Sequence, residues 1–168
     1  GEAAFQVCRS AYPDARHWLV LCGHGNNGGD GYVVARLAKA IGIDVTLLAQ
    51  ESDKPLPEEA ALAREAWLNA GGEIHASNIV WPESVDLIVD ALLGTGLQQA
   101  PRESISQLID HANTHPAPIV AVDIPSGLLA ETGATPGAVI NADHTITFIA
   151  LKPGLLTGKA RDVTGQLH

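Results

Sequence analysis

Short apolar runs alternate with amphipathic segments along the whole chain. The apolar runs have the length of buried strands, and they cover residues 17–21, 43–49, 85–89, 119–122 and 145–149. The amphipathic segments repeat apolar residues at helical spacing, and they centre on residues 4–11, 34–41, 58–70 and 105–112. Turn residues separate the two kinds of segment, such as Gly42 after the second predicted helix and Gly71 after the third.

This alternation predicts the fold class. Strands that are apolar throughout and separated by helices are typical of a parallel sheet that is covered on both faces. We therefore expect an α/β fold, a three-layer Rossmann-like sandwich with a mostly parallel central sheet. The 168 residues suit one domain, and we assign 1–168 to it, with the polar stretch from about Lys159 predicted to begin a connector.

Composition and charge narrow the function classes. Ten basic against nineteen acidic residues give a net charge of −9, which argues against a surface that binds nucleic acid or an anionic membrane. The longest purely apolar run, 18–22, is far too short to cross a membrane. Two cysteines, Cys8 and Cys22, are too few for a zinc cluster or a disulfide framework, so we expect a reducing compartment and a cytoplasmic location.

Four of the predicted strands end in loops of unusual composition. These loops are Gly23–Gly31, Asp90 with Gly94–Gly96, Asp123–Gly127 and Lys152–Gly154. In a parallel sheet the carboxyl ends of the strands meet at one edge, and ligands bind there near the change in strand order. We therefore treat the four loops as one site.

The first loop contains a G-x-G-x-x-G pattern at Gly23, Gly25 and Gly28, between a predicted strand and a predicted helix. Such glycines let the backbone approach a ligand, and the start of the following helix offers free N–H groups to an anion. Asp30, however, lies where a dinucleotide fold would place a pyrophosphate, and its carboxylate would repel that group. This disfavours a plain NAD dehydrogenase. The alternative for Asp30 is a role as a helix N-cap only.

Three acidic residues, Asp30, Asp90 and Asp123, are predicted to meet in one crevice. They would repel one another unless a cation or a shifted protonation state relieves them. Oxygen ligands from Asp, Asn and Ser suit a hard cation, and this mostly neutral set favours a monovalent ion over Mg²⁺. The alternative for Asp90, Asp123 and Ser126 is that each only forms a turn.

Three further residues, which lie in or beside these loops, are harder to assign a role. Cys22, at a strand end, is expected to be buried and inert rather than nucleophilic. His24 lies inside the glycine loop and is a further candidate without an assigned role. Lys152 either contacts a phosphate or caps the turn at Pro153, and the sequence favours neither.

Three motifs together resemble the NAD(P)H-hydrate epimerase family, also called the YjeF N-terminal domain. They are Gly25-Asn26-Asn27-Gly28-Gly29-Asp30-Gly31, Val89-Asp90-Ala91-Leu92-Leu93-Gly94-Thr95-Gly96 and Val122-Asp123-Ile124-Pro125-Ser126-Gly127, and they occur in the family's order. The resemblance implies repair of reduced nicotinamide cofactor: water has added to the ring of NADH or NADPH, and the enzyme interconverts the R and S hydrates. The substrate is thus a hydrated dinucleotide.

The resemblance also bears on the extent of the chain. In many bacteria this domain is fused to an ADP- or ATP-dependent dehydratase domain, which is absent from the 168 residues. The chain has no methionine and begins at helical spacing, so we expect an epimerase domain that is truncated at its N-terminus and lacks the C-terminal dehydratase. A homo-oligomer is left open.

Residue roles are carried over from the family by motif. The hydrate is expected to contact Asn26, Asn27, Gly28, Gly29, Asp30 and Asp123, while Gly94, Thr95, Gly96, Leu97, Gln98, Gln99 and Ala100 surround its phosphates. A potassium ion is expected on Asn27, Asp90 and Ser126. Glycine permits positive φ at residues 94 and 96, where backbone N–H groups are expected to hold phosphate oxygens. The family's aromatic run is replaced here by Thr95-Gly96-Leu97.

The chemistry implied by the family assigns a role to one acid. Epimerisation at C6 of the ring requires the hydroxyl group to leave and to return on the other face, through an iminium-like ring. A carboxylate beside the ring can move the proton and stabilise the positive charge, so Asp123 is the predicted catalytic residue. The alternative function is a non-catalytic nucleotide-binding or protein-interaction module.

Overall fold

The structure is a computed structural model of the chain, and it describes residues 1–148 and 150–168. Its helices are α1 (Glu2–Ala11), α2 (Asn26–Ala40), α3 (Glu58–Asn69), α4 (Glu103–Thr114) and α5 (Ala160–Val163). Its strands are β1 (His17–Cys22), β2 (Asp44–Ala49), β3 (His75–Ala76), β4 (Leu87–Ala91), β5 (Ile119–Val122), β6 (His144–Ile146) and β7 (Gln166–Leu167). A short 3₁₀ helix covers Pro153–Leu155.

These seven strands form one parallel sheet in the order β3-β2-β1-β4-β5-β6-β7. Alternate residues of β1 enter different cores, with Trp18 and Val20 in one and Leu19 and Leu21 in the other. The first core joins the sheet to α1, α2 and Trp67 of α3, and the second joins it to α4. Helices therefore cover both faces, which confirms the predicted α/β fold.

Burial on both faces explains the apolar runs in the sequence. Every residue of β4 and β5 is buried, as is every residue of β1 after His17. On α4 the predicted stripe Ile105, Leu108, Ile109 and Ala112 is the buried face. None of the described helices is long and apolar enough to span a membrane.

Two element boundaries differ from the sequence prediction, and both affect the site. Helix α2 begins at Asn26 rather than near Val34, so most of the predicted glycine loop is helical. Glycine is a poor helix former, but here its missing Cβ permits close packing: a Cβ on Gly28 would lie 2.1 Å from the carbonyl oxygen of Gly23. Strand β4 ends at Ala91, so Asp90 lies within a strand and not in the loop after it.

The C-terminal region also differs from the prediction. The last long strand, expected over 145–149, is observed as β6, and Ile149 lies outside the described residues. The polar stretch after Lys159, expected to be a connector, instead forms α5 and β7, and β7 pairs with β6. That expectation was wrong because Ala160 and Val163 are buried against Ile124 and Leu128, a contact that short-range periodicity does not show.

The strand order changes direction between β1 and β4. From β1 the chain moves to β2 on one side of the sheet and later returns to β4 on the other side. A crevice opens at the carboxyl ends of the strands at such a point, and ligands of open α/β sheets bind there. The topology therefore places the first turn of α2 and the segment after β4 side by side.

Candidate active site

A cleft of about 670 Å³ opens at this point of the sheet edge. Its walls come from the first turn of α2, from residues 92–97 and 99–102 after β4, and from residues 50–52 and Lys54 after β2. Asp123 after β5 also lines it. Most residues that the sequence assigned to the substrate line this cleft: Asn26, Asn27, Asp30, Gly94, Thr95, Gly96, Leu97, Gln99, Ala100 and Asp123.

Three of the assigned residues, Gly28, Gly29 and Gln98, are not among the described residues that line the cleft. Gly28 packs against Gly23, as described above. A Cβ on Gly29 would lie 2.9 Å from the Cα atom of Ala60 in α3. These two glycines thus allow α2 to pack closely against β1 and α3, and their contact with a substrate stays a prediction.

Asp90 is a fully buried carboxylate. Its Oδ1 accepts hydrogen bonds from the Ser126 hydroxyl at 2.5 Å and from the Leu92 backbone N–H at 3.2 Å, and its Oδ2 accepts from the Ser126 N–H at 2.8 Å. Burial raises the pKa of Asp90 to about 6, and these hydrogen bonds oppose the rise. All three donors are neutral, so the negative charge has no counter-charge among them.

Asn27 is connected to this carboxylate through Leu93. The Asn27 Nδ2 donates to the Leu93 carbonyl oxygen at 3.1 Å, and the Leu93 N–H donates to the Ser126 Oγ at 2.9 Å. The structure therefore brings together Asn27, Asp90 and Ser126, the three residues that the resemblance assigned to potassium. They come from α2, β4 and the loop after β5.

The donor set of this cluster fits a monovalent cation. The Asn27 Oδ1 is buried and has no hydrogen-bond partner among the described residues, which is costly unless a donor or a cation meets it. Asp90, Ser126 and the Leu93 carbonyl supply further oxygen atoms, the kind of ligand that potassium takes. No three His, Cys, Asp or Glu side chains within residues 1–148 and 150–168 form a group that could hold a metal ion.

Asp123 has a different environment. Its φ of 71° is the one positive value at a non-glycine residue in the described part of the chain, and it turns the backbone out of β5. The Lys152 ammonium donates to the Asp123 Oδ1, to the Thr147 Oγ1 at 2.8 Å and to the Phe148 carbonyl oxygen at 3.0 Å. Asp123 is thus an ion-paired carboxylate at the wall of the cleft.

Lys152 does not cap the turn at Pro153 with its side chain, and its contact with a phosphate stays a prediction. It is not among the described residues that line the cleft. Because Lys152 and Asp123 lie 29 positions apart, no local pattern indicates their pairing. Both residues were, however, predicted to follow strands that end at the same edge of the sheet. That shared position is the signal that could have suggested the pairing.

The structure also contradicts one alternative that the sequence left open, for Asp30, and one expectation, for Gly94 and Gly96. Asp30 is not an N-cap, because Gly25 holds that position and Asp30 lies in the second turn of α2, where its Oδ1 is 2.7 Å from the backbone nitrogen of Gly1. Gly94 and Gly96 are not among the described glycines with positive φ. A Cβ on Gly96 would meet no atom within 4 Å, so glycine there leaves open space in the cleft rather than relieving strain.

One wall of the cleft was not predicted from the sequence. Gln50, Glu51, Ser52 and Lys54 follow β2 and line the cleft. The rule that all parallel strands end at one edge applies to β2 as well, and it could have identified this loop. The two cysteines are free and buried as expected, and burial raises the pKa of the Cys22 thiol.

Comparisons with known proteins found one matching family model, several similar sequences and a similar solved structure. The sequence model of one family, described as YjeF-related protein N-terminus, matches residues 1–154. The chain is 98% identical over 168 residues to a protein of Escherichia coli (strain K12) named bifunctional NAD(P)H-hydrate repair enzyme Nnr, and it covers 33% of that protein. It is 35% identical to a protein of Rhodopirellula baltica named NAD(P)H-hydrate epimerase, with all of this chain and 70% of that protein covered.

The chain spans about a third of the length of the bifunctional relatives that it matches. Among solved structures, yeast ynu0 superimposes with a TM-score of 0.77 at 24% sequence identity, covering 90% of this chain and 68% of the yeast chain. At that identity the likeness concerns the fold.

Proposed function

The chain belongs to the family of YjeF-related protein N-termini, and we propose that it is an isomerase that interconverts the R and S epimers of hydrated NADH and NADPH. The names of its relatives support this activity, in particular the epimerase of which the chain covers 70%. One geometric observation carries the proposal: Asp123, paired with Lys152, lines the same cleft as the first turn of α2 and the loop after β4.

The Asp123–Lys152 pair is the proton carrier of the proposed reaction. A proton held by the pair goes to the C6 hydroxyl as the C–O bond breaks, and the hydroxyl leaves as water. The ring nitrogen supplies the electron pair and becomes an iminium, whose positive charge the carboxylate stabilises. Water then adds to the other face of C6, and its surplus proton returns to the pair.

The rest of the cleft orients the substrate. The N-terminal turn of α2 and the loop after β4 offer backbone N–H groups to the phosphates. Arg102 and Lys54 line the cleft and would attract the phosphates. This local positive charge matters because the chain as a whole has a net charge of −9. The residues of the predicted phosphate loop, Gly94–Ala100, would thus act through their backbone.

Potassium is the proposed ion of the buried cluster. Asn27 Oδ1, the Asp90 carboxylate and the Ser126 hydroxyl would hold it, and the orphaned Asn27 oxygen supports this assignment. When bound, the ion supplies positive charge beside the buried carboxylate. The bound ion would hold three elements together: the first turn of α2, strand β4 and the loop after β5. It would take no part in proton transfer.

The proposed partner is an ADP- or ATP-dependent dehydratase domain on the same polypeptide. The bifunctional naming of the relatives and the share of their length that the chain covers support it. Such a domain would remove water from one epimer only. The epimerase would convert the other epimer into that one, so that both could be repaired. A reducing compartment, the cytoplasm, is the proposed location, and the free thiols of Cys8 and Cys22 support it.

The test is the conversion of one purified epimer into the other, measured by chromatography on NADH hydrate and on NADPH hydrate. The protein should accelerate the approach to the same R-to-S ratio from either epimer, and removal of potassium should slow it. Asp162→Asn changes an exposed acid of α5 and serves as the control with full activity. Binding of a hydrate without interconversion would support the non-catalytic nucleotide-binding module instead.

A further inference from the structure

A second cleft of about 540 Å³ adjoins the first at the carboxyl ends of β2 and β3. Its lining includes Tyr32, Leu56, Arg64 and Ile74, none of which lines the first cleft among the described residues. His24, residues 50–52 and Lys54 line both. The two clefts are therefore neighbours along one edge of the sheet.

The sheet sets the distance between the second cleft and the reacting residue. Asp123 follows β5, and three strand spacings separate β5 from β2 in the order β2-β1-β4-β5. At about 4.8 Å for each spacing, the separation is about 14 Å, a distance that an extended dinucleotide can bridge. A ligand with its ring at Asp123 and its phosphates beside α2 and β4 would continue across the change in strand order toward β2.

The second cleft offers the chemistry that an adenosine group needs. Leu56 and Ile74 provide apolar surface for a flat base, and Glu51 follows β2, where an acid can accept a hydrogen bond from a ribose hydroxyl. The Arg64 guanidinium lies beside the Tyr32 hydroxyl, and it faces this cleft together with Lys54. These two cations suit a phosphate on the 2′ position of the ribose.

His24 marks the passage from one cleft to the other. Its Nε2 is buried and has no hydrogen-bond partner among the described residues, although the residue lines both clefts. A ring nitrogen in that state is costly unless a ligand completes its hydrogen bond. A ligand that crosses between the clefts would pass this atom.

The geometry points to the second cleft as the binding site of the adenosine half of the hydrated dinucleotide, with Arg64 contacting the 2′-phosphate that distinguishes NADPH hydrate from NADH hydrate. This inference rests on the proposed function, because that function supplies the dinucleotide. Glu51 accepts the unmodified ribose and Arg64 the phosphorylated one, so both hydrates bind and NADPH hydrate binds modestly tighter.

The experiment titrates ADP-ribose and 2′-phospho-ADP-ribose into the protein by calorimetry at fixed ionic strength. Both probes carry the adenosine half and the pyrophosphate but lack the nicotinamide, so neither is turned over. In Arg64→Gln, the affinity for the 2′-phosphate form should fall about twofold to fivefold, and that for ADP-ribose should not change. In Leu56→Asp, the affinity for both probes should fall about tenfold. Arg161→Gln, an exposed cation of α5, should change neither.

Three results would overturn the inference: neither probe binds, Arg64→Gln affects both probes equally or not at all, or Leu56→Asp binds both like the parent. Thermal melting of each variant checks that it is folded. Epimerisation is measured on the same proteins, which separates the two proposals. If the protein epimerises the hydrate but gives any of those three results, only the assignment of the second cleft is overturned. If the probes bind selectively but no epimerisation occurs, only the proposed reaction is overturned.

Discussion

Asp90 and Asp123 resemble each other in the sequence and differ in the structure. Each comes at the end of a core strand, and the two strands, β4 and β5, are neighbours in the sheet. Asp90 is fully buried and accepts hydrogen bonds from neutral donors. The side chain of Asp123 remains 17% exposed at the cleft wall and is paired with the Lys152 ammonium.

The difference suits the two acids to the two different roles that we propose for them. A buried carboxylate without a counter-charge is stable only when it is protonated or neutralised by a bound cation, so Asp90 suits an ion site. An ion-paired carboxylate at a cleft wall can exchange a proton with a ligand, so Asp123 suits the reaction. The backbone differs at the two acids. Strand β4 continues past Asp90, whereas a positive φ at Asp123 turns the chain out of β5.

The largest expected effect is on the rate of epimerisation in Asp123→Asn. Loss of the proton-carrying carboxylate should lower the rate roughly 10²–10⁴-fold. Asparagine tolerates positive φ, so the free energy of unfolding should change by less than about 1 kcal/mol. Chromatography of the epimers and urea unfolding measure the two quantities. A near-parent rate would remove Asp123 from the reaction.

Asp90→Ala should mainly affect stability. The substitution leaves the buried Ser126 hydroxyl and two backbone N–H groups without their acceptor, so the free energy of unfolding should fall by about 3 kcal/mol. Asp86→Ala is the matched control: Asp86 also accepts two backbone N–H groups, from Arg16 and His17, but it is exposed. Its loss should be about 1 kcal/mol or less. Equal losses in urea unfolding would contradict the distinct role of the buried acid.

Potassium should stabilise the protein through the Asp90 cluster alone. At about 100 times its Kd, a bound ion adds about 2.7 kcal/mol to the free energy of unfolding. Thermal melting in potassium and in a bulky organic cation at equal ionic strength measures the gain. Ser126→Ala should reduce it, and Asp123→Asn should retain it. Identical melting of the parent in both salts would show that no such site is filled.

The Lys152 substitutions should have the smallest effect on the rate. Lys152→Met removes a charge-assisted hydrogen bond to Asp123, which should lower kcat about tenfold to hundredfold. KM should change little, because Lys152 is not among the described residues that line the cleft. Lys152→Arg keeps the charge and should recover most of the rate. A rise in KM or a fall in melting temperature that is large enough to explain the lost rate would indicate a structural role for Lys152 instead.

Sequence patterns were sufficient to predict the central strands of the sheet and the edge at which the site lies. The apolar runs at β1, β4 and β5 and the stripe on α4 follow from burial on both faces of a parallel sheet, a regular constraint that periodicity detects. Asp90, Asp123 and Ser126 were expected at the same edge because strand ends converge there. Asn27 was expected there too, in the glycine loop after β1, and the family motif assigned it to potassium together with Asp90 and Ser126.

The remaining features depend on contacts between distant residues. The pairing of Lys152 with Asp123 and the packing of Gly28 on Gly23 are set by tertiary structure and leave no periodic signal. Packing also extends α2 to Asn26 despite three glycines in its first six residues, against their helix propensity. The loop after β2 was missed because its residues, Gln50–Lys54, form no recognisable motif.

The central claim is that this cleft epimerises the hydrate by loss and return of the C6 hydroxyl. The most direct test incubates one purified epimer of NADPH hydrate with the protein in H₂¹⁸O and follows epimer ratio and isotope content together by chromatography and mass spectrometry. If the C6 hydroxyl leaves and returns as proposed, the other epimer should appear faster than without protein and should carry ¹⁸O at C6. Both effects should be lost in Asp123→Asn. Epimerisation without ¹⁸O incorporation, or no acceleration at all, would contradict it.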